Sequence, residues 1–132
     1  MTVTQFLHAA LLVQDLERSR QFYGEVLGLT ECPRPFDFPG AWYQIGPQQL
    51  HIMVSPEYSA RQADPERWGR NRHVALAVSN LEDCQTQLKA AGVTYQLSHS
   101  GRAALFVHDP DGNIIELSQV DAPPSQNCSV SL

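Results

Sequence analysis

The first hydrophobic stretch of the chain, residues 3–13, alternates between two sides in the way that a β-strand does. One side is fully aliphatic, and the other carries a histidine among apolar residues. The histidine side consists of Phe6, His8, Ala10 and Leu12, and the aliphatic side of Leu7, Ala9, Leu11 and Val13. We therefore expect His8 to point away from the aliphatic side.

A helix is predicted directly after this strand. Asp15 is a suitable N-cap, and apolar residues recur at helical spacing until Gly28, which suits the position just beyond a helix end. Three short strands then follow, at residues 29–34, 41–45 and 49–54. The first half of the chain is thus predicted to have the order β-α-β-β-β.

Residues 55–71 are polar, contain prolines and show no period, which is typical of a linker. Beyond it we predict a second helix at residues 81–91 and three strands at residues 94–98, 102–107 and 114–117. The last two strands flank Asp-Pro-Asp-Gly-Asn, residues 109–113, where proline and glycine favour a tight hairpin turn.

A chain of 132 residues fits one domain. We divide it into modules at about residues 3–54 and 72–120, a linker at residues 55–71 and a tail at residues 121–132. The tail contains a proline pair and polar residues, which favour loop or disorder.

The second half of the chain repeats the first at an offset of 65 residues. His8 falls on His73, and His51 falls on Glu116. A side chain that can bind a metal therefore occupies the first and fourth strand of each half. Glu116 lies among aliphatic residues, where an unpaired carboxylate would be costly to bury, so we expect a neighbour that neutralises it.

Composition and charge exclude several classes of function. The net charge of −5 provides no basic surface for nucleic acid, and no apolar run approaches the ~20 residues of a membrane span. The three cysteines are widely spaced and fit free thiols better than a disulfide framework. Because the start lacks a cationic leader, we expect a cytoplasmic protein that acts on a small molecule.

Three imidazoles and one carboxylate at repeated strand positions favour a metal site, although any one of these histidines alone would more often be a hydrogen-bonded strand residue. The predicted ligands are His8, His51, His73 and Glu116. Two histidines and one carboxylate with open positions suit Fe(II), and a further histidine makes Zn, Ni, Mn or Co plausible. Mg and Ca would prefer more oxygen ligands.

The β-α-β-β-β repeat, the helix end FYGEVLGL at residues 22–29 and above all DPDGNIIEL at residues 109–117 resemble the vicinal oxygen chelate superfamily. This superfamily includes glyoxalase I, extradiol dioxygenases, fosfomycin-resistance thiol transferases and bleomycin-resistance proteins. The resemblance covers about residues 3–120.

The resemblance implies an α+β fold of two βαβββ modules, which form a cupped, partly open mixed-sheet barrel around one divalent metal, in a homodimer. His8, His73 and Glu116 match the ligand positions that the family's metal enzymes share. His51 occupies the position where glyoxalase I carries a glutamate, so this chain departs from the glyoxalase pattern.

The leading hypothesis is a small metal-dependent enzyme that chelates two neighbouring oxygens of its substrate, either a glyoxalase-like lyase or isomerase or an extradiol-type dioxygenase. Glu116 and His51 are the candidate catalytic groups. A thiol transferase of the fosfomycin-resistance kind ranks lower, because the sequence shows no basic cluster near Glu116. The alternative class is a metal-free binding protein resembling the bleomycin-resistance proteins.

Six further residues are candidates for substrate contact, although a core or turn position is the more common explanation for each. They are Trp42, Tyr43, Tyr95, His99, Arg102 and His108.

Overall fold

The computed structural model describes residues 1–121 and divides the chain into two compact units, with the boundary between Ala60 and Arg61. The predicted tail lies outside the described residues except for Asp121, and so does Cys128. Within the described part, no helix is long and apolar enough to cross a membrane.

The first unit is a four-stranded mixed sheet with one helix on it. Its elements are β1 (His8–Val13), α1 (Leu16–Arg20) continued by a π-helical segment (Gln21–Val26), β2 (Thr30–Cys32), β3 (Gly40–Ile45) and β4 (Gln48–Val54). The strand order is β1-β4-β3-β2, with β1 parallel to β4 and the other neighbours antiparallel. The predicted order β-α-β-β-β is confirmed.

The second unit repeats this arrangement. A 3₁₀ turn (Trp68–Arg70) precedes β5 (His73–Val78), α2 (Leu81–Ala90), β6 (Tyr95–Leu97), β7 (Ala104–His108) and β8 (Ile114–Gln119). The strand order is β5-β8-β7-β6, again with one parallel pair, β5 and β8. Two open four-stranded sheets, each with a helix, confirm the predicted α+β class of two βαβββ modules.

The first strand is shorter than predicted, because it begins at His8 and not at Val3. Its partner β4 begins at Gln48, after a turn in which Gly46 has a φ of +56°. His8 pairs with Gln49 near the start of β4, so the residues before Leu7 have no part of β4 beside them. A strand needs a neighbour for its hydrogen bonds, and the alternating pattern alone did not show where that neighbour ends.

The helix side of the first sheet holds the core of its unit. Phe22 and Tyr23 pack edge to face at 4.9 Å between ring centroids, and Tyr23 lies 6.0 Å from Tyr43 of β3. The buried apolar residues of this side are Val13, Phe22, Tyr23, Ala41, Tyr43, Leu50 and Ile52. Because side chains alternate along a strand, His8 and His51 lie on the opposite face, as predicted.

The π-helical segment adds one residue to the first helix. The N-caps Asp15 and Asn80 are 65 residues apart and accept from the backbone N–H of Arg18 and Asp83. The glycines at the two helix ends, Gly28 and Gly92, both have a φ of +71° but are only 64 residues apart. Such a bulge was not predicted, because periods of three and four residues cannot distinguish it from a regular helix.

The predicted hairpin turn at residues 109–113 is confirmed and is organised by one buried carboxylate. Asp109 Oδ1 accepts from the backbone N–H of Asp111 at 2.9 Å and of Asn113 at 2.8 Å, while its Oδ2 accepts from the Asn113 side-chain amide at 2.8 Å. Asp109 is 4% exposed. Gly112, with a φ of +88°, then allows the chain to turn into β8.

Residues 62–70, which we call the strap, fold back over β6 and β7. The backbone N–H of Trp68 donates to Gln96 Oε1 at 2.9 Å, and Gln96 Nε2 donates to the backbone carbonyl of Glu66 at 2.7 Å. The Trp68 ring lies 4.2 Å from the His108 ring, centroid to centroid. The predicted linker therefore contains a segment that belongs to the second unit.

We expect Asp109→Ala to lower the free energy of unfolding by about 2–4 kcal/mol, because three buried N–H donors lose a charged acceptor. Urea denaturation followed by circular dichroism measures the change. Asp37→Ala removes a carboxylate from an exposed position and serves as the control. Equal stability of the two variants would contradict the role given to Asp109.

His108 should make the chain less stable in acid. Burial holds the pKa of His108 below its ordinary value, and the nearby charge of Asp109 offsets part of this effect. Below about pH 6.5 the His108 imidazole is protonated in the unfolded chain but stays neutral in the folded chain. The contribution of His108 to the free energy of unfolding is therefore complete above this pH and is lost as the pH falls towards the folded-state pKa.

His108→Phe keeps a ring against Trp68 and removes this titration. We expect the variant to gain stability relative to wild type as the pH falls from 7.5 to 5.5, measured by urea denaturation. Acid effects of other groups are common to both proteins and cancel in the difference. A difference in stability that does not change with pH would show that His108 titrates normally.

Candidate metal and substrate site

The two predicted ligands of the first unit, His8 and His51, lie side by side. The parallel pairing of β1 and β4 places His51 opposite Ala10, one alternation beyond His8 on the same face. The two rings stack with centroids 3.9 Å apart and an interplanar angle of 16°. Trp42 of β3 stacks on the other side of His51, at 4.2 Å and 5°.

The surroundings of His51 favour its neutral imidazole form. Its Nε2 lies 2.8 Å from Gln49 Oε1, and the ring is 9% exposed. Burial lowers the pKa of His51, and the nearby His8 and Arg34 lower it further. A neutral imidazole has one ring nitrogen with a lone pair, which can accept a proton or bind a metal.

The two predicted ligands of the second unit also come together. His73 Nε2 lies 3.2 Å from Glu116 Oε1. His73 Nδ1 lies 2.7 Å from the backbone carbonyl of Asn71, and a carbonyl can only accept, so Nδ1 carries a proton. This is the arrangement that fixes the tautomer of a metal-binding histidine, because it leaves Nε2 for the ligand.

The facing atoms of this pair fit a bound cation. A lone pair on His73 Nε2 and a carboxylate oxygen of Glu116 repel each other unless a proton or a metal ion lies between them. Neighbouring ligands at about 2.1 Å from one metal are themselves about 3 Å apart, close to the observed 3.2 Å. The donor chemistry of the pair therefore suits a divalent metal.

Glu116 is almost fully buried, with 4% exposure, and it has the neutralising neighbours that the sequence required. Ser118 Oγ donates to Glu116 Oε2, and Arg102 Nη1 lies 3.6 Å from the same oxygen. Oε1 is directed to His73. The two carboxylate oxygens thus have different surroundings.

Each unit therefore brings two of the four predicted ligands together. Within residues 1–121, no three His, Cys, Asp or Glu side chains lie close enough to one another to hold a metal ion.

A cavity of about 560 Å³ opens beside the histidines of the first unit. Trp42 and Phe36 form part of its wall, and Phe36 stands edge-on to Trp42 at 5.8 Å. Phe36 also stacks on Phe38 at 5.3 Å, and the Arg34 guanidinium lies over Phe38 at 4.6 Å. Phe36 was not among the predicted site residues, although two phenylalanines between prolines in an otherwise polar loop were a usable signal.

A cavity of about 520 Å³ in the second unit has a different lining, because it is rich in cations. Arg67 and Arg70 of the strap line it together with His99 and Arg102. Arg102, one of these cations, lies 3.6 Å from Glu116 Oε2, so the cavity brings more positive charge into this region than the sequence had indicated. The sequence did not show the cluster, because two of its arginines belong to the predicted linker and reach this sheet only when the strap folds back.

The remaining candidates for substrate contact separate into two groups. Trp42, His99 and Arg102 line cavities. Tyr43 is a core residue on the helix side, 1% exposed, and burial followed by the charge of Glu31 raises its pKa to about 12. Tyr95 accepts a hydrogen bond from Gln85, and His108 lies under Trp68.

The chain is similar in sequence and in structure to known proteins. The chain is 29% identical over 128 residues to a probable lactoylglutathione lyase of Vibrio cholerae, covering 90% of this chain and 93% of that protein. It is 34% identical over 113 residues to the glutathione transferase FosA of Serratia marcescens, covering 83% and 77%. A crystal structure of a putative glyoxalase family protein from Bacillus anthracis matches with a TM-score of 0.73 and 26% identity, covering 90% and 97%.

Residues 5–117, most of the chain, match the family model of the Glyoxalase/Bleomycin resistance protein/Dioxygenase superfamily. On this match the chain belongs to that superfamily, which is the one that the β-α-β-β-β repeat and the segments FYGEVLGL and DPDGNIIEL resemble.

Proposed function

We propose that this chain is a divalent-metal-dependent enzyme that acts on a small molecule with two neighbouring oxygens, and that its reaction is that of a glyoxalase-like lyase or isomerase. The observation that carries the proposal is the His73–Glu116 pair, in which an imidazole nitrogen with a fixed tautomer faces a buried carboxylate oxygen at 3.2 Å. The His8–His51 pair of the first unit supplies two further imidazoles.

The proposed ligands are His8, His51, His73 and Glu116, and the metal is one of Fe, Zn, Ni, Mn or Co, which bind imidazole and carboxylate readily. When bound, the metal would polarise the substrate oxygens and stabilise negative charge that develops on them.

The side chains around the ligands have separate tasks in this proposal. Ser118 and Arg102 hold Oε2 of Glu116, so that Oε1 keeps its direction. Trp42 and Phe36 give the first unit's cavity an apolar wall that suits a hydrocarbon part of the substrate and excludes water from it. Glu116 is the group that we propose to accept a proton from substrate, and His51 serves either as the fourth ligand or as a base beside the metal, because its neutral imidazole has only one lone pair.

We place the lyase or isomerase before the dioxygenase because curated relatives carry the name lactoylglutathione lyase, as in Vibrio cholerae. Conversion of a hemithioacetal of glutathione and a 2-oxoaldehyde, followed spectrophotometrically, tests that reaction directly. Oxygen uptake in the presence of a catechol tests the dioxygenase.

A thiol transferase is the second candidate, and the basic cavity is the observation that favours it. Three arginines line this cavity, one of them 3.6 Å from Glu116, and they suit an anionic substrate. The relative that is 34% identical carries the name glutathione transferase FosA. Loss of glutathione thiol in the presence of a phosphonate epoxide distinguishes this reaction from isomerisation. A metal-free binding protein would show neither reaction and would bind no metal.

We expect wild-type protein, purified without a histidine tag and reconstituted with metal, to retain one divalent metal per chain after gel filtration. His73→Ala and Glu116→Gln should each lower the metal affinity by tenfold or more, which is about the effect of losing even a supporting contact of a metal ligand. Elemental analysis by mass spectrometry measures the content. His99→Ala removes a histidine outside the proposed ligand set and should retain the metal.

The proposed ligand set would be wrong if His73→Ala and His99→Ala carried the same amount of metal as wild type. Loss of metal from both variants alike would point to a general effect of histidine content, and it would equally contradict the assignment.

We further propose a homodimer in the cytoplasm. β1 and β5 are edge strands of small open sheets, and such edges need a partner or a cover. Phe6 and Leu7, next to β1, are 64% and 62% exposed.

The cytoplasmic location is supported by the cysteines. Cys32 and Cys84 are free thiols, which suits a reducing compartment.

Sedimentation equilibrium at micromolar protein concentration should give about twice the mass of one chain, 14.7 kDa. Replacing both Phe6 and Leu7 by serine should shift the equilibrium towards the monomer, because the exposed apolar surface beside β1 would be smaller. A monomeric mass for wild type under these conditions would refute the homodimer.

A further inference from the structure

Two glutamines connect His51 with the turn between β3 and β4. Gln49 lies two residues before His51, and Gln44 of β3 is its cross-strand partner, so all three side chains share the face opposite the helix. Gln49 Oε1 lies 2.8 Å from His51 Nε2, and Gln49 Nε2 donates to Gln44 Oε1 at 2.8 Å. Gln44 Nε2 in turn donates to the backbone carbonyls of Gly46 at 2.8 Å and Gln48 at 3.2 Å. A continuous chain of hydrogen bonds therefore runs from the backbone to the His51 ring.

The two backbone carbonyls give this chain one direction. A carbonyl can only accept, so the end of the Gln44 amide that faces them is its NH₂ group, and its oxygen faces Gln49. An amide oxygen also can only accept, so Gln49 turns its own NH₂ group to Gln44 and its oxygen to His51. Gln49 Nε2 also lies 3.7 Å from Cys32 Sγ, which can accept its second proton. Reversing either amide would place two oxygens against each other.

The acceptor opposite Nε2 determines the tautomer of His51. A ring nitrogen 2.8 Å from an amide oxygen must carry a proton, so a neutral His51 is protonated at Nε2 and has its lone pair at Nδ1. The ring plane is fixed as well, because His51 is stacked between His8 at 3.9 Å and Trp42 at 4.2 Å. With 9% exposure, the residue leaves little room for water to compete for the Nε2 proton.

The two units thus fix opposite tautomers. His73 Nδ1 faces the backbone carbonyl of Asn71, whereas His51 Nε2 faces the side-chain oxygen of Gln49. His73 therefore offers Nε2 as its lone pair, and His51 offers Nδ1. The internal repeat pairs the ligand positions but does not carry over the atom that each imidazole presents.

We propose that Gln49, oriented by Gln44, is a positioning residue that fixes His51 in the Nε2–H tautomer, so that only Nδ1 can bind the metal or accept a proton. An imidazole whose other ring N–H is held by an acceptor needs no proton rearrangement before it binds or reacts. The use of Nδ1 by a metal or a substrate rests on the function proposed above, whereas the tautomer itself does not.

The test reads the tautomer directly, on the full chain without metal, in the presence of a chelator and at an alkaline pH where the imidazole is neutral. In protein labelled with ¹⁵N-histidine, long-range proton–nitrogen NMR correlations separate a protonated ring nitrogen from a bare one. His51→Asn identifies the signals of His51 by their absence. The exchange rate of the ring N–H proton with water is measured on the same samples.

We expect His51 of wild type to have a bare Nδ1 and a protonated Nε2 whose proton exchanges slowly enough to be observed. Gln49→Met removes the acceptor at similar side-chain length, so the two nitrogen resonances should move closer together and proton exchange should become about tenfold faster. Gln44→Met should accelerate exchange less, by about threefold, because it only frees the Gln49 amide to turn.

Two further variants separate this role from packing. Gln49→Glu keeps an oxygen acceptor without the amide donors and should keep Nε2 protonated. Gln48→Met changes a neighbouring glutamine whose side chain lies on the other face of β4, and it should match wild type. Addition of Zn²⁺ to wild type should leave Nε2 protonated, because both proposed roles of His51 use Nδ1.

The inference is overturned if His51 of wild type carries its proton on Nδ1, or if its proton exchanges as fast as in Gln49→Met. Equal changes in Gln48→Met, or loss of the Nε2 proton on addition of Zn²⁺, would overturn it as well. Gln44 is exposed, so Gln44→Met carries the decision if Gln49→Met does not fold.

This outcome is distinct from that of the proposed function. A chain with the fixed tautomer but neither metal nor turnover would keep the arrangement of Gln49 and His51 and lose the enzymatic function. An active metalloenzyme with a mixed tautomer at His51 would keep the function and lose this inference.

Discussion

The burial of one carboxylate, that of Glu116, is the constraint on which the candidate site depends. A strand residue that is 4% exposed cannot keep a negative charge without partners, and the fold supplies three: a hydroxyl, a guanidinium and an imidazole. Two of these hold one oxygen in place. The third, His73, faces the other oxygen with Nε2 at 3.2 Å, so a proton or a metal ion is required between the two atoms.

The internal repeat explains why such a constraint arises on β8. In both units the first and last strands pair in parallel, which places His8 beside His51 and His73 beside Glu116 on the face opposite the helix. The Asp109 turn fixes where β8 begins, and therefore on which face Glu116 emerges. Local turn chemistry thus determines the position of a side chain several residues away.

Much of this could be predicted from the sequence, because local rules determine it. The caps at Asp15 and Asn80 and the hairpin turn at residues 109–113 follow from short-range patterns, and the pairing of ligand positions follows from the internal repeat. The strap and the cation-rich cavity depend on contacts between distant segments. No periodicity reports such contacts, and for this reason the basic cluster was missed.

The measurement that tests the central claim most directly is the thermal stability of wild type and Glu116→Gln, with and without an excess of Zn²⁺ or Co²⁺. A metal that binds only the folded chain raises the melting temperature, by an amount that grows with the logarithm of its affinity. The account predicts a clear rise for wild type and little or none for the isosteric variant, whose amide is a poor ligand. An equal rise in both proteins, or none in wild type, would contradict it.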